Sequence, residues 1–390
     1  MLQHFCGIDE IDRVKVPAKS TLERYNQWWP EAQVHQVVEQ LLGQAATTPQ
    51  RLHLPEAVDL ESAFLDTTCL PAHIHYPVDW VLLRDATRTL MKAVQLIRHH
   101  GLKHRMEEPQ SFVRRINQLC IAMTHATRRD EGGRRRKKTL RQMDRLVGVV
   151  DLHARRYRDL LAQDWAQTDW TEAQAQVVLG RMDQVLDQLP QARRQARQRI
   201  LAGRPVANDQ KILSLYEPDV RVIVRGKAGT EVEFGNVLLL AENPQGLILD
   251  WELIRGIAPA DSKLLPRSVG RMQEAYGPVL AALGGDRGFD SQFNRTGLAL
   301  EGIYNGVCPR DPQQLAARGR SYKFRRLQRR RAQTEGRVGI VKNVFLEGRP
   351  RSKGFAHRDL SVTWAVLVHN LWVLARLQQR AAVQAKRLAA

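Results

Sequence analysis

The stretch Phe64–Leu90, FLDTTCLPAHIHYPVDWVLLRDATRTL, changes its hydrophobic period partway along. Its first part, from about Ala63 to Leu70, is an apolar run that reads as a strand, with one acidic residue, Asp66, in its body. From Val78 to His99 the apolar residues Leu82, Ala86, Leu90, Ala93, Val94 and Ile97 recur at helical spacing. That spacing predicts an amphipathic helix with one buried side. A strand feeding a helix is the start of an α/β core, and Asp66 is the first acidic residue in it to stand in an apolar setting.

Outward from this stretch the pattern is uneven. From Pro109 to Leu201 the chain stays helical. Phe112, Ile116, Leu119, Ile121 and Met123 mark one helix, Met143, Leu146, Val149 and Leu152 the next, and Val177, Leu179, Met182, Val185 and Leu186 a third. Between the first two lies a charge run, Arg128 to Lys138, whose Gly132 and Gly133 suggest an exposed basic loop carrying Arg134, Arg135 and Arg136. The period then shortens. Strands are expected at Val220–Arg225, Glu231–Leu240 and Gly246–Ile254, the last two separated by the turn Asn243-Pro244-Gln245-Gly246. A helix from Ala260 to Leu283, a strand end at Leu283–Gly288 carrying Asp286, and a strand at Gly302–Cys308 follow. A basic helix from about Leu315 to beyond Lys342 and a last helix from Leu360 to Leu388 complete the chain. Residues 1–55 read as short helices, one opened by the capping box Ser20-x-x-Glu23. The segment Pro17–Tyr25 reads either as the recognition helix of a helix-turn-helix or as part of a helical hairpin packed on the core. No internal repeat is present.

Composition narrows the function. Lys and Arg outnumber Asp and Glu by 60 to 41, for a formal net charge of +19, and 43% of residues are hydrophobic. A globular, strongly basic chain of this kind attracts phosphate backbones or an anionic membrane surface. The best candidate membrane run, Val362–Leu377, falls short of the roughly 18 residues a span requires and is interrupted by His369, Asn370 and Arg376. The start of the chain lacks a signal-peptide pattern. Cys6, Cys69, Cys120 and Cys308 are widely spaced, which supports neither a zinc site nor a disulfide framework and suits a reducing cytoplasm.

Against this basic background three acidic residues stand out: Asp66 in Leu65-Asp66-Thr67-Thr68, Asp286 in Gly284-Gly285-Asp286-Arg287-Gly288-Phe289, and Glu335 in Glu335-Gly336-Arg337-Val338. Isolated carboxylates of this sort are what a pair of divalent cations needs to act on a phosphodiester. Each has an ordinary alternative. Asp66 reads also as a strand-end or capping Asp, Asp286 as a turn residue, and Glu335 as a surface residue paired with Arg331 at i−4. Arg331 and Lys342, with Arg329, Arg330 and Arg337, are candidates for phosphate contact, or for a solvated basic helix face. His73 and His75 form H-x-H on a short extended segment and read as a satisfied histidine pair in preference to zinc ligands. Asp79 is a weaker alternative metal ligand. Gly226-Lys227-Ala228-Gly229 resembles a phosphate-binding turn without a Walker pattern.

The order Asp, Asp, Glu with these neighbours resembles the DDE transposases of bacterial insertion sequences. The segment Phe64–Leu90 is similar to that family's first catalytic segment, and Val222–Gly235 to its next strands. Arg331, Glu335 and Lys342 match the R-x3-E-x6-K part of its third motif, while Gln328 stands where the fuller motif has Tyr. The likeness covers most of the chain from about Phe64 to Leu377. It implies an α/β, ribonuclease H-like mixed sheet flanked by helices, with a large helical insertion after the first strand and a short helical N-terminal region. The expected division is 1–55 helical N-terminal region, 56–108 first part of the catalytic core, 109–205 helical insertion, and 206–390 remainder of the core. Many related transposases carry their insertion later, before the helix bearing Glu. The resemblance further implies Asp66, Asp286 and Glu335 as catalytic ligands of two Mg2+ or Mn2+ ions. It implies DNA as partner, a homo-oligomer on DNA, and a bacterial cytoplasmic, nucleoid-associated location. The alternatives are a stand-alone Mg-dependent DNA nuclease and a catalytically inactive, transposase-derived DNA-binding protein.

Overall fold

A mixed sheet and a bundle of helices, each with its own core, make up the protein in a computed structural model describing residues 28–126, 131–227, 230–346, 348 and 353–389. In chain order come α1 (Glu31–Thr47), β1 (Ser62–Pro71), α2 (Asp79–His99), α3 (Pro109–His125), α4 (Glu131–Asp164) and α5 (Glu172–Ala196). Next are β2 (Arg221–Lys227), β3 (Thr230–Glu242), β4 (Ile248–Leu253), α6 (Asp261–Tyr276), β5 (Ala282–Gly285), α7 (Gln292–Leu300) and β6 (Tyr304–Val307). The chain continues through α8 (Pro312–Arg318), α9 (Tyr322–Arg331), α10 (Thr334–Ile340) and α11 (Phe355–Ala389). The capping box at Ser20–Glu23 and the segment Pro17–Tyr25 lie outside the described residues, as do Arg128–Asp130, Ala228 and Gly229.

The strand order is β2-β3-β1-β5-β6, with β4 also paired to β3. β1 runs antiparallel to β3, with Asp66 opposite Leu240, and parallel to β5, with Phe64 opposite Gly284. β6 continues the parallel half. β2 pairs with the first part of β3 and β4 with its last part, so the two follow one another along the same edge. β1 is therefore central and covered on both faces, which is why its sequence is an apolar run instead of an alternation. Ala63 and Leu65 pack into the core shared with α1, α6 and α11, while Phe64 packs with Ala282 and Leu327 on the other face. Side chains alternate along a strand, so Asp66 and Thr68 share the face of Phe64.

The second core lies in α2–α5, around Leu83, Leu90, Phe112, Ile116, Met143, Val150, Tyr157 and Met182. The helix after β1 thus belongs to the bundle. The apolar stripe of α2 meets α3, α4 and α5, not the sheet, so the boundary expected at residue 108 falls inside this core. The charge run is also helical from residue 131. Arg134, Arg135, Lys137 and Lys138 are exposed on the first turns of α4, and the Arg136 guanidinium sits 5.0 Å over the Trp80 ring. Arg and Lys are good helix formers, and here they outweigh the two glycines. The expected long basic helix is three pieces, α8, α9 and α10, with a π-helical turn Val341–Phe345 after the last. His73 and His75 are exposed in an irregular segment past β1.

α11 departs from expectation as well. Over Phe355–Arg380 it is long and apolar enough to cross a membrane by length and composition, which the sequence reading did not anticipate. Half of that window is buried inside the protein, where Val362, Val366 and Leu374 fill the sheet core. The fully buried Arg358 ties its start to Glu217 and Asn236.

Candidate active site

The site forms where β5 ends beside the middle of β1. The parallel register of β1 and β5 pairs Phe64 with Gly284, and two residues further lie Asp66, within β1, and Asp286, just past the end of β5. Asp66 Oδ1 accepts a 2.8 Å hydrogen bond from the Thr67 N–H. Asp286 caps the short 3-10 turn Arg287–Phe289, its Oδ1 accepting from Gly288 N–H at 2.7 Å. The turn reading of Asp286 and the site reading are therefore compatible.

The third carboxylate comes from α10. Gln328, Arg331, Glu335, Val338, Gly339, Lys342 and Asn343 recur at helical spacing and form one wall of an open cleft of about 1020 Å³. The opposite wall includes Asp66, Thr67, Thr68, Asp261, Asp286 and Arg287. Asp66, Asp286 and Glu335 thus line a single cavity. Burial first, helped by the negative charges of Asp286 and Glu335 and opposed by the Thr67 N–H and Arg331, raises the Asp66 carboxyl to about 6. A cation among these groups relieves both desolvation and repulsion, which is the sense in which the residues fit a divalent metal. Among the described residues, no three His, Cys, Asp or Glu side chains form a ready-made metal cage.

A fourth acidic residue joins them. Asp261 begins α6, lines the cleft and accepts a 3.2 Å hydrogen bond from Thr67 Oγ1. A Cβ on Gly288 would stand 2.5 Å from Asp261 Oδ2 and 3.0 Å from Asp286 Oδ1, so Gly288 lets the two carboxylates approach the same turn. Sequence reasoning missed Asp261 because it sits at the start of a helix, where an acidic residue is ordinary. Arg287, next to Asp286 in the chain, lines the cleft too.

The basic candidates divide. Arg331 and Lys342 face the cleft, Lys342 Nζ donating to Thr68 Oγ1 at 3.4 Å. Arg331 Nε is buried with no hydrogen-bond partner among the described residues. Arg329 is exposed outside the cleft. Arg330 is hydrogen-bonded to the buried Glu242 at 2.8 Å and is not free for phosphate, and Arg337 lies 4.0 Å from the same carboxylate. Gln328, at the place of the family's Tyr, donates to the carbonyls of Gly285 and Gly306 at 3.3 and 2.6 Å, pinning α9 to the ends of β5 and β6. Asp79 is remote from this chemistry. It is buried at the start of α2 and receives hydrogen bonds from Gln195 and Arg199 at 2.8 and 2.9 Å. Arg134, Arg135 and Arg136 do not line the cleft.

Comparison of the chain with protein-family models, curated proteins and solved structures finds no match.

Proposed function

We propose that the protein is a DDE-type DNA transposase with a ribonuclease H-like core, cutting phosphodiesters at the ends of a mobile element and joining the freed 3′-OH to target DNA. The observation that carries this reading is the convergence of Asp66, Asp286 and Glu335 on one cleft with Arg331 and Lys342. The sheet order supports it too: three antiparallel strands, β4, β3 and β1, followed by β5 and β6 parallel to β1.

In the first step a water oxygen bonds to phosphorus and the P–O3′ bond breaks, leaving a 5′-phosphate and a 3′-OH. In the second, that 3′ oxygen bonds to a target phosphorus and the target's own 3′ oxygen leaves. Mg2+ or Mn2+, two ions when bound, supplies an acidified nucleophile and charge stabilisation on the leaving oxygen. Magnesium keeps waters and takes few carboxylates, so Asp66 and Asp286 on one wall and Glu335 on the other would hold it, with water filling its remaining positions. Asp66 must be ionised to serve, so metal binding competes with its protonation, which in the metal-free protein falls near pH 6. The orphaned Arg331 Nε and the Lys342 ammonium hold phosphate oxygens and orient the strand for in-line attack. The net charge of +19 draws in duplex DNA, and the protein works as a homo-oligomer on the element ends in the bacterial cytoplasm.

The test is incubation with duplex DNA carrying the flanking element's ends, with and without Mg2+. Nicks and joined products, both metal-dependent, are expected. Nicks without joining identify a nuclease. Binding indifferent to metal and to the three carboxylates identifies an inactive DNA-binding protein.

A further inference from the structure

We propose that Glu242 is a positioning residue for Glu335, acting through Arg330 and Thr334 to set the rotation of the helical wall; this rests on the site reading above. Glu242 ends β3 and is 2% exposed. Its Oε1 accepts from Arg330 Nη1 and from Thr334 Oγ1, each at 2.8 Å. The remaining Arg330 donors reach the carbonyls of Pro244 and Asn243 at 3.0 and 2.7 Å, and its guanidinium lies 5.0 Å over the Phe64 ring. Arg337 approaches from the next turn of α10, against Gly246. Gly246 has φ +89°, a left-handed backbone that favours glycine, and the Arg337 guanidinium lies against it, 2.7 Å from where a Cβ would stand.

The spacing explains the purpose. Arg330 and Thr334 are four apart and both reach Glu242, while Arg331 and Glu335 are four apart and both line the cleft. The two pairs are one residue out of phase, about 100° around a helix. Whatever fixes the first pair aims the second. α10 cannot do this alone: it has seven residues, follows a break at Ala332–Gln333, and has no side-chain N-cap hydrogen bond. Short helices without tertiary support do not hold their geometry. A buried carboxylate held by two donors on adjacent helices supplies that support, and its directionality fixes rotation where apolar packing would allow sliding.

The experiment uses the full chain with Glu242→Gln, Thr334→Val and Thr334→Ser. Mn2+ binding is read by electron paramagnetic resonance, and amide exchange by mass spectrometry. Thr334→Val keeps shape but loses the hydroxyl, so it carries the test where Glu242→Gln fails to fold. The expected result is an apparent Mn2+ Kd about tenfold weaker in Glu242→Gln and Thr334→Val. Thr334→Ser restores the affinity, while α10 exchanges faster in Glu242→Gln and Thr334→Val and exchange in α2–α5 is unchanged. Wild-type exchange in α10, or faster exchange with unchanged Mn2+ affinity, overturns the proposal. Failure of the site reading shows itself separately, as wild-type Mn2+ binding that is absent or indifferent to Glu335→Gln; the exchange of α10 then decides the clasp by itself.

Discussion

The helical half of the molecule, α2 to α5, and the sheet half bury different kinds of side chain. The bundle core is apolar, and among the described residues its buried polar groups are Asp79, Thr87, Thr139 and Gln195. The sheet half buries Asn236, Glu242, Asn243, Asp250, Asp290, Asn294, Arg358, His369 and Asn370, most of them hydrogen-bonded across elements. Apolar packing fixes volume and tolerates small slides, whereas a network of hydrogen bonds and ion pairs fixes direction. The half that carries the three carboxylates is the half in which direction matters.

The sharpest break of this contrast is at the carboxylates. Asp66→Asn, Asp286→Asn or Glu335→Gln should lower cleavage about 10³-fold or more, as loss of several kcal/mol of metal-borne stabilisation requires, with DNA affinity nearly kept. A gel assay of nicking beside a binding assay checks this, and full activity in any one variant removes that residue from the site. In the bundle the converse holds. Leu90→Ala, at a fully buried position, should cost about 2–5 kcal/mol in chemical denaturation while the cleavage rate of folded protein stays unchanged.

Two adjacent arginines sharpen the comparison within the sheet half. Arg330→Ala should destabilise by about 3 kcal/mol, since it strands the buried Glu242 charge. It should leave the salt dependence of DNA binding as it is. Arg331→Ala should do the opposite, reducing the slope of log affinity against log salt by about 1 with little change in stability. Exchanged outcomes would mean that the helical wall is turned the other way.

A smaller effect follows from Asp66. Its folded carboxyl titrates near 6 against an ordinary 3.8, so the unfolded chain gives up that proton first as pH rises. The metal-free protein therefore loses stability between about pH 4 and 6 and loses no more from this group above it. Asp66→Asn should melt higher than wild type at pH 7.5 and not at pH 3.5, and Mg2+ should close the gap. Equal melting at both pH values would contradict this account. The smallest effect belongs to the bundle's surface. Ala at residues 134–138 together should weaken DNA binding while changing stability by about 0.5 kcal/mol or less per exposed site. Unchanged affinity would make the run a solvated helix face.

Much of this was legible in the chain. Period alone located β1, the strands after residue 220 and the helices between, because burial on one face imposes spacing on apolar residues. Contrast with apolar, Gly-rich or basic neighbours singled out Asp66, Asp286 and Glu335, and the resemblance joined them with Arg331 and Lys342 into one candidate set. What the chain left open depends on distance in space. Whether α2 packs on the sheet or on α3–α5 is undecided by an apolar stripe, which fits either partner. Asp261 looks like a helix-start residue until β1 and β5 bring Thr67 and Gly288 to it. Above all, Arg329, Arg330, Arg331 and Arg337 are chemically the same residue in the sequence. One is exposed, one is hydrogen-bonded to Glu242, one lies 4.0 Å from it and one faces the cleft, because a contact across the fold sets the rotation of the helices that carry them.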